Sequence, residues 1–464
     1  MNTDILEPMM PETAAAEKSP PDLDLDDLEL PPKVKDLIEN GSTDSHLVSK
    51  DADLAVCITL TKADVPEAVI TDIFNRYPIG ENYRESGDSQ YLEKLLKNAR
   101  EKIHLNSEEV LNPLYLRGVI AYDDKGNKKL HIKKFQEYLA DYQMMKFVEN
   151  GASFIRYNGK CYDFLPDVKL NHLCQEILDD DRELFGRCSV KDLTHFGVGG
   201  EFYDEEKTVA DQLRYLTVGN GLYDIKNREL IPHTHTIFST NLLPYDYDSS
   251  AICSRWLQYL DEVALGDQGM INCLQEAAGY IFCMSIPKPA LFFLVGSGAN
   301  GKSVFLNILT ELVGKNNSCS VNLNLLSQEY YIRELQNKMV NISTETPRNR
   351  QTTMNQVKAI CAGDIVTGRS IYDRPVQFKP FAKHFLAMNE LPAIEDMTFG
   401  MQRRLYIFNF SRTFTEQEMD VNLHEKLCTE LPGIFNWALD GLRRLMENNY
   451  IFSRSQRMEQ IKNE

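Results

Sequence analysis

The sequence predicts an α/β chain. Its centre is a P-loop domain with a parallel sheet, preceded by mixed α+β and helical modules. Three observations predict this. The apolar run Ala290–Val295 leads straight into Gly296-Ser-Gly-Ala-Asn-Gly-Lys-Ser303, and apolar residues at helical spacing follow. Short apolar segments at 338–345, 384–388 and 405–410 read as further strands of the same domain. Upstream, residues 49–102 are periodic as helices, and 110–285 mix strand-and-turn patterns with helices.

Taken in chain order, residues 1–45 are Pro-rich, acidic and poor in aromatics, and are expected to form a disordered tail. Residues 1–50 hold twelve Asp or Glu against four Lys, including Asp22-Leu-Asp-Leu-Asp-Asp27. That run reads as a solvated tail rather than a metal site, since no strand surrounds it. A small helical module spans 46–110. Leu54, Cys57 and Ile58, then Val69, Ile70, Ile73 and Phe74, then Leu92, Leu95, Leu96 and Ala99 make its apolar faces.

A mixed region spans 111–285. Phe154-Ile-Arg-Tyr-Asn-Gly-Lys-Cys-Tyr-Asp-Phe164 predicts a hairpin turning at Asn158-Gly159. A second strand-and-turn unit runs from Tyr215 to Ile225. Helices are expected near 251–265 and 270–284, with Trp256, Leu257 and Leu260 in the core. His233 and His235 are placed on a strand; with no third ligand nearby they read as ordinary hairpin residues rather than a metal site. The P-loop domain is expected over 286–412, and a helical region with Ile434, Trp437, Ala438, Leu439 and Leu442 on one face closes the chain from 413 to 464.

The 464 residues allow several domains, and 43% hydrophobic content supports ordinary cores. There is no signal peptide and no apolar run near 18 residues, so a cytoplasmic protein without a membrane span is expected. The ten cysteines are scattered with no Cys-x-x-Cys, which argues against zinc and a disulfide framework. The net charge of −18 argues against nucleic acid, but its distribution weakens the objection. Residues 346–383 hold seven Lys or Arg against two Asp, a strip able to grip a polyanion.

In the loop, Gly296, Gly298 and Gly301 let the backbone turn tightly and bring N–H groups of Ser297, Ala299 and Asn300 to phosphate oxygens. The helix opening at Lys302 points its positive end at the same place. Lys302 would reach the β and γ phosphates of ATP, and the Ser303 hydroxyl would hold Mg²⁺. Hydrolysis also needs a carboxylate, and the segment Lys338-Met-Val-Asn-Ile-Ser-Thr-Glu345 ends in one. Glu345 is the candidate general base and a second Mg²⁺-supporting group; a solvent-facing loop Glu is the competing reading. The strand at 384–388 ends in Asn389, placed to orient the attacking water, or simply a turn Asn. Arg403 and Arg404 precede the last strand. Either would neutralise transition-state charge on a neighbouring subunit's ATP, with Arg404 the first choice.

These elements, in this order, resemble the superfamily 3 helicases within the AAA+ ATPases. The segments Gly363-Asp-Ile-Val-Thr-Gly-Arg-Ser-Ile-Tyr372, Pro375-Val-Gln-Phe378, Phe385-Leu-Ala-Met-Asn-Glu-Leu-Pro392 and Pro244-Tyr-Asp-Tyr-Asp248 with Trp256 look like the phage, plasmid and poxvirus primase-helicase group. The resemblance covers about residues 110–450 and implies a ring, a hexamer, with ATP at subunit interfaces and one DNA strand in a central pore. It also implies a pore hairpin in the basic strip, where Arg369, Tyr372, Arg374 and Lys379 flank a turn around Tyr372-Asp373-Arg374. Arginine or lysine there would hold the phosphate backbone and Tyr372 would stack on a base.

Two departures stand out. Many superfamily members carry two adjacent acids where this chain has Thr344 and Glu345, and no primase-type acid cluster or zinc module is recognisable. The expected function is therefore a replicative DNA helicase of a phage, plasmid or mobile island, with a primase or initiator as possible partner. A primase-helicase with an unrecognised primer-making site, and a non-unwinding AAA+ initiator, are the alternatives.

Overall fold

The computed structural model describes residues 25, 28–42, 47–142, 144–148, 153–181, 184, 205–343, 354–369, 375–390 and 399–463. It divides into two compact units. One is drawn from 1–143 and 171–200, the other from 144–170 and 201–464.

The first unit is mainly helical: α1 (Pro32–Asn40), α2 (Ser49–Lys62), α3 (Glu67–Arg76), α4 (Glu81–Ser86), α5 (Tyr91–Glu101), α6 (Pro113–Leu116) and α7 (Ile132–Tyr142). A small antiparallel ribbon, β1 (Ile120–Tyr122) and β2 (Lys128–Leu130), precedes α7. α2 is buried continuously from Asp51 to Ile58, so it is the central helix of this unit. Its acid Asp51 is held by Arg117 Nε at 2.7 Å and by the Tyr142 hydroxyl at 2.5 Å. α1 corrects the expectation of disorder up to residue 45. Pro32 is pre-set for a first helical position, and Val34, Leu37 and Ile38 form a buried stripe that outweighs the acidic composition around it. The Asp22–Asp27 run lies almost wholly outside the described residues.

The second unit opens with an antiparallel sheet of β3 (Met145–Val148), β4 (Ser153–Tyr157) and β5 (Tyr162–Leu165). β4 and β5 form the expected hairpin, with Gly159 at φ +95° in its turn. A second sheet, β6 (Tyr215–Val218), β7 (Gly221–Asp224) and β8 (Glu229–Ile231), is also antiparallel. His233 and His235 follow β8 in a loop instead of sitting on a strand; His233 Nε2 lies 3.3 Å from the Gly219 carbonyl oxygen. Two helices follow, α8 (Ser254–Ala264) and α9 (Gln268–Tyr280). Trp256 and Leu260 on α8 are fully buried, but Leu257 is 48% exposed. One residue round the helix from Trp256, it falls off the apolar face.

The centre of this unit is a five-stranded parallel sheet in the order β10 (Ser318–Cys319), β11 (Val340–Ser343), β14 (Lys383–Met388), β9 (Leu291–Val295), β15 (Leu405–Asn409). The strands read as near-continuous apolar runs because both faces are covered. On β9, Phe292 and Leu294 enter one core while Leu291 and Phe293 enter the other. The helix after β9, α10 (Lys302–Val313), stops at Gly314, whose φ of +84° suits glycine. Between β11 and β14 lies an antiparallel hairpin, β12 (Val366–Gly368) and β13 (Val376–Phe378). The chain closes with α11 (Leu423–Thr429), α12 (Leu431–Glu447) and α13 (Gln456–Asn463).

α9 and α12 meet backbone to backbone. A Cβ on Gly279 would stand 2.2 Å from the Ala438 carbonyl oxygen, and one on Gly441 would stand 2.3 Å from that of Gln275. Beside this contact the buried Glu276 is satisfied by Arg444 Nε at 2.7 Å, by the Ser453 hydroxyl at 2.7 Å and by the Ser453 backbone N–H at 2.6 Å. Among the described residues no helix is long and apolar enough to cross a membrane.

Candidate nucleotide site

Because the sheet is parallel, the carboxyl ends of its strands face one way, which is where open α/β sheets place ligands. The loop at 296–303 leaves β9 there. Its first N–H, from Gly296, donates to the Met388 carbonyl oxygen at 3.2 Å, so the loop is tied to the end of β14. Gly298, Ala299 and Gly301 all take positive φ, at +116°, +48° and +87°. Successive turns of this kind make a concave run of backbone N–H groups suited to an anion.

Gly301 has a further reason to be glycine. A Cβ there would stand 2.8 Å from Val263 Cγ1 and 3.2 Å from a Tyr259 ring carbon, so α8 packs directly on the loop. The Tyr259 hydroxyl donates to the Gly301 carbonyl oxygen at 2.9 Å. On the far side the Phe414 N–H donates to the Ala299 carbonyl oxygen at 2.8 Å. The loop is thus clasped from both sides.

Lys302 is buried, and its ammonium donates to the Gly296 carbonyl oxygen at 2.6 Å and to Asn300 Oδ1 at 3.0 Å. Burial holds its pKa below the usual lysine value. The amide nitrogen of Asn300 is buried without a partner among the described residues. Ser303 is exposed in the first turn of α10. A row of donors round a concave backbone, one of them an unmatched buried amide and one a lysine, fits a polyphosphate, and the open Ser303 hydroxyl fits a hydrated Mg²⁺ beside it.

These groups line a cavity of about 850 Å³ that also takes in Asn389, Glu390, Tyr259, Glu262, Phe414 and the segment 418–424. The volume suits a nucleotide-sized ligand. Asn389 is exposed one residue beyond Met388, which pairs with Val295, so it stands level with Gly296 at the start of the loop. Glu345 lies outside the described residues; the strand leading to it, β11, ends at Ser343, paired with Leu386 of β14. Of the described cavity carboxylates, Glu262 pairs with Arg255 at 3.6 Å, Glu418 with Arg412 at 3.3 Å and Asp420 with Lys426 at 2.7 Å. Among the described residues no cluster of three His, Cys, Asp or Glu would hold a metal by itself.

Arg403 and Arg404 sit at the other end of the sheet. Leu405 pairs with Leu291 at the start of β9, so about 16 Å of strand separates these arginines from their own phosphate loop. Arg404 is half-buried and donates to the Gly400 carbonyl oxygen at 2.5 Å, whereas Arg403 is exposed. In the basic strip, Tyr372 and Arg374 lie outside the described residues. Arg369 follows Gly368 at the turn end of the β12–β13 ladder. Lys379 follows Phe378 at its foot, about 10 Å away along the strand, so it does not flank the turn as expected.

Tyr259, Glu262, Phe414 and the 418–424 segment carry no motif. Tyr259 is one of several aromatics on an apolar helix face, and 414–424 has no periodicity, so neither signals a ligand in sequence.

Two family models match parts of this chain: "D5 N terminal like" over residues 204–264, and a "Family of unknown function (DUF5906)" over 294–404. The first takes in α8 and the second runs from the end of β9 to Arg404. A curated relative, "Putative helicase L207/L206" of Acanthamoeba polyphaga mimivirus, is 30% identical over 168 residues, 32% of this chain. That match spans only 16% of the relative's own length. Among solved structures, the A form apo structure of the NrS-1 C terminal region aligns with a TM-score of 0.50 at 13% identity, over 69% of this chain and 71% of that one. A second apo structure of the same region aligns with a TM-score of 0.49 at 16% identity. The first likeness is one of fold.

Proposed function

We propose that this chain is an ATP-driven replicative DNA helicase of the superfamily 3 type within the AAA+ ATPases, working as a ring. The observation that carries the reading is the clasped loop, with Lys302 folded into a concave run of backbone donors at the mouth of a nucleotide-sized cavity. The similarity to a viral protein named as a helicase and to the D5 N terminal like model supports replication as the setting.

In this reading ATP lies in the cavity. Lys302 and the backbone of Gly296–Gly301 bind its phosphates, Asn389 orients water, and Glu345 takes its proton. Ser303 and Glu345 would hold Mg²⁺, which neutralises phosphate charge. The distance between Arg403–Arg404 and their own loop suits a finger that serves the next subunit, as the hexameric arrangement requires. The β12–β13 hairpin, with Arg369 at its turn end and Tyr372 and Arg374 beyond, would hold one DNA strand through its backbone, a contact indifferent to sequence.

The test is unwinding of a forked DNA with ATP by wild type, Lys302→Ala and Arg404→Ala. Strand separation that requires Lys302 supports the reading. ATP hydrolysis without strand separation sinks the helicase assignment, and hydrolysis retained by Lys302→Ala sinks the site. Template-directed primer synthesis by the purified chain would favour a primase-helicase instead.

A further inference from the structure

In the first unit two lysine ammonium groups converge on one point of a cleft, and neither forms an ion pair among the described residues. Lys102 is the cap residue just after α5, and Lys134 stands in the first turn of α7. Between them lies Gly118, whose φ of +65° leaves its outer side bare. A Cβ on Gly118 would stand 2.8 Å from Lys134 Nζ and 3.9 Å from Lys102 Nζ, so both ammonium groups close on one point. That point lies in a cleft of about 550 Å³.

The cleft contains carboxylates, but none pairs with these two groups among the described residues. Asp51 is committed to Arg117 and Tyr142. Glu101 and Glu137 line the cleft, with His104, Arg117, Tyr115 and Tyr122 as its other cationic or titratable groups. Neither Glu makes an ion pair with Lys102 or Lys134. Burial first, and then the facing charge of Lys134, pull Lys102 below the usual lysine pKa, and the nearby carboxylates of Glu101 and Asp51 offset only part of this. α7 carries no acid in its first turn to offset Lys134. Two ammonium groups held this close, one just after α5 and one at the start of α7, repel each other, and an anion between them would relieve the repulsion.

We propose that this cleft binds a phosphate group, with Lys102 and Lys134 as its two cationic ligands over Gly118. The site is remote in sequence from the nucleotide loop and independent of the function proposed for it. Phosphate of a nucleic-acid backbone and phosphate of a small molecule share the chemistry, and the experiment separates them.

The full chain is used in a Lys302→Ala background, so that the nucleotide loop contributes equally throughout. Binding of a single-stranded oligonucleotide is followed by fluorescence anisotropy across a salt series, and inorganic phosphate by ³¹P line broadening. Lys102→Gln with Lys134→Gln is compared with Lys102→Arg with Lys134→Arg, and Lys134→Gln is made alone because that side chain is exposed and its loss leaves the fold intact. For a backbone site the slope of log K against log salt becomes shallower by about 1.4 in the double Gln variant, by about 0.7 in the single one, and is kept by the Arg pair. An unchanged slope, with phosphate broadening lost in the Gln variants and kept by the Arg pair, assigns the cleft to a small phosphate. If the Gln variants, the folded single one included, change neither readout, the proposal is overturned.

Discussion

The hydroxyl of Tyr259 donates to the carbonyl oxygen of Gly301 at 2.9 Å, joining α8 to the phosphate loop. The tyrosine is 1% exposed, and its ring packs on Trp256, with centroids 5.2 Å apart. Tyr259→Phe keeps the packing but leaves the Gly301 carbonyl without this donor. The Phe305 N–H still donates to that carbonyl at 3.1 Å, so the expected cost is about 0.5–1.5 kcal/mol of stability, read as a lower midpoint in denaturant unfolding with an unchanged slope. Nucleotide affinity should fall with it, because Gly301 is the residue before Lys302. An unchanged affinity would mean that the ties from Phe414 and from the end of β14 fix the loop without it.

The two arginines before β15 differ in freedom. Arg404 is tied to the Gly400 carbonyl, while Arg403 is exposed. Whichever serves as the finger, its change to Ala should lower kcat for ATP hydrolysis on the order of 10³-fold with nucleotide binding retained. If the finger is Arg403, Arg404→Ala should act through stability alone, freeing the 400–404 turn and lowering the melting temperature. Steady-state hydrolysis and thermal unfolding of both variants separate the two roles. Equal small effects on kcat from both would remove the finger from this turn.

The parts of this site carried by short-range signals were legible in sequence. A strand, a glycine-rich turn and a helix must follow one another for the loop to exist, so 291–313 announces itself. Tyr259 and Phe414 were not legible, because they reach the loop from 42 and 115 residues away and each looks like ordinary core. Leu257 reads as core because it adjoins Trp256, yet a step of one residue carries it off the apolar helix face. Pro32–Asn40 was hidden by composition: three buried residues made a helix inside an acidic stretch. Lys379 looked like part of a turn until the pairing of Val366 with Phe378 put it at the hairpin's foot.

The contact of α9 with α12 leaves no room for side chains at its glycines. Gly441→Ala places a methyl group 2.3 Å from the Gln275 carbonyl oxygen, so the helices must separate. A loss of about 1–3 kcal/mol is expected, with the larger Gly441→Val worse. Separation would also strain the Arg444–Glu276 pair at 2.7 Å, since its partners lie on the same two helices. Thermal unfolding checks this, and a melting temperature unchanged in Gly441→Ala would contradict it.

Acid stability should depend on His384, at the centre of the sheet. Its Nδ1 lies 3.1 Å from the Asn341 amide nitrogen, so Nδ1 accepts and the proton of the neutral ring belongs on Nε2, which has no partner among the described residues. Burial, aided by neighbouring Lys383, pulls its pKa down to about 4. In the unfolded chain the same ring takes up a proton near 6.5. Between these values the unfolded state binds more protons than the folded one, so stability falls as pH falls from about 6.5 to about 4. The loss over that window should be on the order of 3 kcal/mol. A substitution that keeps the acceptor and cannot titrate, His384→Gln, should be less stable at neutral pH for packing reasons yet show a flatter profile across the window. Chemical unfolding of both proteins at intervals from pH 7 to pH 4 measures the two slopes, and parallel profiles would show that other groups set the acid limit.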